Sequence, residues 1–203
     1  MKEDNENFNS YVIEDDDDVE KRYTLWSIVP QAMINPAKGW RKGRFYGPMP
    51  EIAIIRFLIP LCIIAGVSDF FTLLYPGQYT FAGILLESVI TLCSYFIGYF
   101  LALVLSRILL PGNSRHLPST DYGKLLIMGA MGTLAFFHVL IKALPMFDFL
   151  LEFLPLWTIF IVFEGVKQVD KQEGDKALFA IGLLCVIIIC SPILVEWVLA
   201  LFI

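Results

Sequence analysis

Residues 35–50, NPAKGWRKGRFYGPMP, divide the chain into a short polar part and a long apolar one. Lys38, Arg41, Lys42 and Arg44 follow one another with no acidic residue before Glu51. Trp40, Phe45 and Tyr46 are amphipathic aromatics of the kind that settle at headgroup depth, and the prolines and glycines stop a helix from running straight through. The stretch reads as a basic collar at the mouth of a membrane. Its expected contact residues, for anionic headgroups or a protein partner, are Lys38, Trp40, Arg41, Lys42, Arg44, Tyr46, Gly47 and Pro48.

Composition supports that reading. Of 203 residues, 57% are hydrophobic and 17% charged, against about 25% charged in soluble domains. Mean hydropathy is +0.69. The chain has too little polar surface to cover a soluble core, and the hydrocarbon of a bilayer is the solvent that fits. The net charge of −5 is concentrated at one end, because Glu3, Asp4, Glu6, Glu14, Asp15, Asp16, Asp17, Asp18 and Glu20 all precede the collar. No basic face of a folded domain is evident, which excludes a nucleic-acid partner. Cys62, Cys93, Cys185 and Cys190 fall inside apolar runs without zinc or disulfide-framework spacing, so they are expected to be small buried side chains.

Three regions follow. Residues 1–22 are expected to be a disordered acidic cytosolic tail, since like charges this dense repel and bury little. Within 23–50, Leu25, Ile28, Val29, Ala32 and Met33 recur at helical spacing ahead of the collar. The segment is too short to span, and fits either a helix lying on the membrane or a short helix packed on the ends of the spans. Residues 51–203 are expected to form five transmembrane helices, at about 52–74, 79–108, 122–144, 145–166 and 176–202, each near the roughly 20 residues that cross about 30 Å of hydrocarbon. The first apolar run comes after residue 50, so the first span is expected to act as its own insertion signal.

Within the spans, Arg56 lies one turn inside the first and can snorkel to the collar. Pro60 is expected to kink that helix. Ser94, Gly98, Ala102 and Ser106 step by four along the second span, a small-residue stripe for close helix packing. Gly129, Gly132, Thr133 and Phe136 form a comparable side of the third, with His138 and Lys142 on its other side. The fold class is therefore all-α, a polytopic membrane protein. Lys and Arg cluster in the collar, the second-to-third loop (Arg107, Arg115, Lys124) and the fourth-to-fifth loop (Lys167, Lys171, Lys176), while the opposite loops carry only Lys142. The positive-inside rule then predicts a cytosolic N-terminus and a C-terminus outside or in a lumen.

That orientation places Asp69, Glu87, His138, Lys142, Asp148, Glu152 and Glu196 in the outer half of the membrane. A carboxylate there costs about 2.5–3.5 kcal/mol on insertion scales unless it is paired, wet or protonated. One expectation is a polar pocket in which Glu87 and Glu196 face each other or Lys142, with His138 beside them. Two carboxylates that close compete for one proton, and such a site suits a small proton-coupled transporter. The plainer expectation is that Asp69, Asp148 and Glu152 are interfacial and the deeper acids make packing hydrogen bonds. No second histidine lies in a span to share a metal, and no metal or cofactor is expected. HExxH, G-x-S-x-G and GxxxxGK[ST] are all missing, so the sequence does not read as an enzyme.

The run Ile34-Asn35-Pro36-Ala37-Lys38-Gly39-Trp40, followed by Phe45-Tyr46-Gly47-Pro48 and then the five apolar segments, resembles the Yip1-domain family. Tyr46-Gly47-Pro48 is similar to the end of the Asp-Leu-Tyr-Gly-Pro motif of its eukaryotic members, with Arg44 and Phe45 at the Asp-Leu positions. Asp121-Tyr122-Gly123 is similar to the family's tyrosine-containing entry to its third helix. The resemblance covers about residues 30–200. It implies five spans, a cytosolic N-terminus and no enzyme activity. Eukaryotic relatives act in vesicle traffic, binding small GTPases and each other. The short tail and compact loops look more like the bacterial branch, which implies the bacterial cytoplasmic (inner) membrane, with endoplasmic reticulum or Golgi as the alternative. The expected partners are the bilayer with its anionic headgroups and a membrane-protein partner or second copy of the chain.

Overall fold

The computed structural model describes residues 23–75, 80–144, 153–168 and 175–202; for Tyr46, Arg115 and residues 112–113, 154–155 and 175–177 only the backbone is described. The acidic tail at 1–22, Asp148 and Glu152 at the expected start of the fourth span, and residues 169–174 lie outside the described residues. Every regular element among those described is helical.

α1 (Leu25–Ile34) buries Leu25, Ile28, Val29 and Ala32, the stripe that a 3.6-residue period puts on one face. Asn35 ends it and caps α2 (Pro36–Tyr46): its Oδ1 accepts from the Lys38 backbone N–H at 3.2 Å, and Pro36 stands at the first turn, where no N–H is needed. The two helices fold back as a hairpin. Gly39 permits their close crossing, since a Cβ there would lie 2.5 Å from the Ala32 nitrogen.

The first long helix, α3 (Pro50–Leu74), changes character twice along its length. A π turn occupies Ile54–Leu58, and the last residues, Asp69–Leu74, tighten to 3-10 geometry. Where the sequence leads one to expect a kink at Pro60, a π turn precedes the proline. A proline ring crowds the carbonyl four residues back and offers it no N–H, and widening the preceding turn relieves the clash.

After α3 come α4 (Phe81–Leu109), a 3-10 segment (Gly112–Ser119), α5 (Asp121–Ala143), α6 (Leu154–Lys167) and α7 (Asp175–Ala200). α5 is the most buried of the long helices and stands at the centre of the bundle. Along α4 the small residues Ser94, Gly98, Ala102 and Ser106 are buried, and Gly98 meets Pro192 of α7 backbone to backbone. Large apolar side chains such as Ile55, Val67, Val104, Val186 and Trp197 remain exposed around the outside. A surface of that kind has hydrocarbon as its natural solvent.

Among the described residues four helices are long and apolar enough to cross a membrane: Pro50–Leu74, Phe81–Leu109, Asp121–Ala143 and Leu178–Ala200. The chain thus has the fold of an α-helical multi-pass membrane protein. In the region of the expected fourth span the described helix is α6, of 14 residues, or about 21 Å at 1.5 Å per residue.

The hairpin does not lie loosely on the bundle. It crosses α5 and reaches from α3 to α6, with the indole of Trp26 donating to the Arg56 carbonyl at 2.8 Å and that of Trp157 donating to the Met33 carbonyl at 3.0 Å. Trp40, expected at headgroup depth, is 1% exposed instead. Its ring fills the space left by Gly129, where a Cβ would lie 2.5 Å from Cη2, and it meets Tyr122 edge-on at 6.3 Å. Phe136, expected on the packing side of the third span, is 45% exposed; on that side Gly129 meets the hairpin and Gly132 meets Phe57 of α3.

Candidate functional site

At the end of the bundle away from the hairpin, three helices bring four ionisable groups together. Asp69 opens the 3-10 turn of α3, Glu87 lies in the second turn of α4, and His138 and Lys142 are one turn apart on α5. The i, i+4 spacing puts both α5 side chains on one face. Lys142 Nζ lies 2.7 Å from Glu87 Oε1 and 3.2 Å from Asp69 Oδ1. His138 Nε2 is 3.1 Å from that same Asp69 oxygen. Tyr75 fastens the helix ends nearby, its hydroxyl donating to the Ala143 carbonyl at 2.7 Å.

Asp69 is the surprise of this cluster. Expected at the interface, it is fully buried at 0% exposure. α3 turns inward over α4 and α5 there, so the carboxylate points at Lys142 and not at water. Thr91 stands next to it, yet Oδ2 is left without a hydrogen bond. Lys142 bridges two carboxylates, and a carboxylate this deep is tolerable only with such pairing. Lys142 is thus the shared cation of Asp69 and Glu87, and His138 adds a ring nitrogen on the Asp69 side.

A cavity of about 200 Å³ opens beside the cluster between α4, α5 and α7, lined among others by Thr91, Ser94, Tyr95, His138, Pro192 and Glu196. His138 borders both spaces and meets the Tyr95 ring edge-on at 5.9 Å. Of the expected pocket residues, Glu87 pairs with Lys142. Glu196 lines the cavity and makes no ion pair or hydrogen bond among the described residues. The two acids are therefore not partners; a salt bridge occupies Glu87, and Glu196 joins the group only through the wall it shares with His138. Among the described residues no set of three His, Cys, Asp or Glu side chains is arranged to hold a metal ion.

The basic hairpin forms a second site at the other end. Gly39, Trp40 and Gly43 face inward on α2, leaving Lys38 and Arg41 exposed one turn apart. Neither side chain has a hydrogen-bond or ion-pair partner among the described residues. Lys42 lies 4.8 Å from the centroid of the Tyr23 ring, a cation–π contact. Arg44 donates to the Gln168 carbonyl and so caps the C-terminal end of α6, where a cation is favoured. Gly47 closes α2, its N–H bonded to the Gly43 carbonyl, and Pro48 leads into α3. The side chain of Tyr46 lies outside the described residues. The collar thus separates into residues turned outward (Lys38, Arg41), residues holding the hairpin down (Trp40, Arg44) and a turn (Gly47, Pro48).

Among the contacts absent from the sequence expectations are the Asp69–Lys142 pair and the bond from Trp26 to Arg56. The second has a readable signal, for Pro60 stands four residues after Arg56 and deprives its carbonyl of an α-helical donor. No family model, curated protein or solved structure matches the chain.

Proposed function

We propose that the protein is a non-enzymatic membrane component, of the kind the Yip1-domain resemblance implies, which organises protein partners or the bilayer through its N-terminal hairpin. In this reading the chain crosses five times, with the hairpin on the cytosolic face of a bacterial inner membrane, where the positive-inside rule puts Lys and Arg. The supporting observation is the construction of α2. Trp40 anchors its inner face in the bundle, while Lys38 and Arg41 are exposed on the outer one. Binding groups held on a rigid element pay little ordering entropy when a partner arrives.

The test is crosslinking of the intact protein in its membranes followed by pull-down, comparing wild type with Lys38→Gln/Arg41→Gln. The double variant is expected to lose the wild-type partners, at about 1 kcal/mol per charge if the contact is an anionic surface. An unchanged set of partners would overturn the reading.

The cavity lined by His138 and Glu196 supports a second reading, a small proton-coupled transporter. It predicts acidification of liposomes that disappears in Glu196→Gln. The Lys142 salt bridge counts against it, because it already occupies Glu87.

A further inference from the structure

Where α1 meets α3 there is a groove of about 400 Å³, whose walls include Tyr23, Trp26, Met49, Ile52, Arg56 and Phe57. That volume lies in the range of small-ligand sites, about 300–1,000 Å³. Ile52, in its wall, is exposed, as are Ile55 and Ile59 further along the same helix, and in a membrane such side chains face the lipid tails. Arg56 is one of the lining residues, and its guanidinium has no hydrogen-bond or ion-pair partner among the described residues. Lys42 lies over the ring of Tyr23, one of the residues that line the groove.

The backbone beneath Arg56 is unusual in two respects. It lies in the π turn, a geometry often found at functional positions, and its carbonyl is taken by Trp26 from the facing wall. The groove is therefore held open by a bond between its own walls. An arginine about 9 Å along a membrane helix needs an anion or a route to water. Phosphate is the anion that a bilayer supplies at that depth, and the guanidinium fork matches its oxygens.

We propose that this groove is a binding site for one anionic glycerophospholipid, with the phosphate on Arg56 and Lys42 and the start of an acyl chain along Trp26, Ile52 and Phe57. Its size suits the headgroup end of the lipid; the rest of the chains stay in the bilayer. The proposal does not rest on the partner-binding role of Lys38 and Arg41, and the two fail separately.

Native mass spectrometry of the intact, detergent-purified protein offered phosphatidylglycerol or phosphatidylcholine tests it. Wild type is expected to retain one phosphatidylglycerol in preference to phosphatidylcholine. Arg56→Gln is expected to weaken that retention by about tenfold, the loss of a charge-assisted hydrogen bond, while Arg56→Lys keeps most of it. Met49→Trp, which crowds the mouth and leaves the charge, is expected to lose it too, and Lys38→Gln/Arg41→Gln to keep it. Equal retention of the two lipids, or undiminished retention by Arg56→Gln, overturns the proposal. So does crosslinking of Arg56 to the acidic run at 14–18 in a protein that retains no lipid, because the groove's occupant is then the chain's own tail.

Discussion

The indole N–H of Trp26 donates to the backbone carbonyl of Arg56 at 2.8 Å, across 30 positions of sequence. Pro60 explains why that carbonyl is available, since its ring nitrogen has no hydrogen to complete the α-helical ladder. In a bilayer an unsatisfied carbonyl has no water to turn to. One proline in the first membrane helix thereby creates the docking point for the N-terminal hairpin.

Replacing Trp26 by Phe keeps the edge-on contact with Phe57, at 5.0 Å between ring centroids, and removes the donor. We expect a loss of about 0.5–1.5 kcal/mol, the net worth of one hydrogen bond. Pro60→Ala restores a backbone donor to Arg56, so the same tryptophan change should cost much less in that background. Unfolding in detergent of the four proteins of the cycle measures the coupling; additive effects would show that the orphaned carbonyl is not what Trp26 serves.

Lys142 holds two carboxylates, one of them wholly buried. Lys142→Met leaves Asp69 charged in an apolar setting and is expected to destabilise the fold by about 3–5 kcal/mol. Asp69→Asn added to that variant should recover much of the loss, which thermal unfolding of single and double variants reads directly. No recovery would mean that Lys142 acts chiefly through Glu87.

Trp40 and Gly129 form a matched pair, one filling the volume the other vacates. Trp40→Ala should cost about 3–5 kcal/mol as a large-to-small change. Gly129→Ala should cost about 1–3 kcal/mol by overpacking. Both should free the hairpin from α5, visible as faster protease cleavage between residues 23 and 46 under conditions where wild type resists.

The proposed orientation has its own test. In a cysteine-free background, Phe202→Cys should be labelled by a membrane-impermeant maleimide from outside intact cells, and Lys38→Cys only after the membrane is opened. The reverse pattern would invert the topology.

The membrane class of the fold was legible in the sequence, because a run such as 52–74 has one low-energy environment whatever it packs against. The close-packing stripe of α4 was legible too, since a period of four on a helix names a face without naming its partner. Helical spacing also singled out the α1 stripe that is buried. What the spacing left open was whether that stripe meets lipid or protein, because both are apolar.

Local pattern alone thus determined that this chain is helical and apolar enough for a membrane. Those properties depend on the summed transfer energy of side chains taken in order. Only the tertiary structure decided that Trp40 is buried and Lys38 exposed, that Lys142 joins Asp69 to Glu87, and that Glu196 stands apart. The burial or pairing of one side chain is set by which helix lies opposite it, and helix packing is a property of the whole bundle.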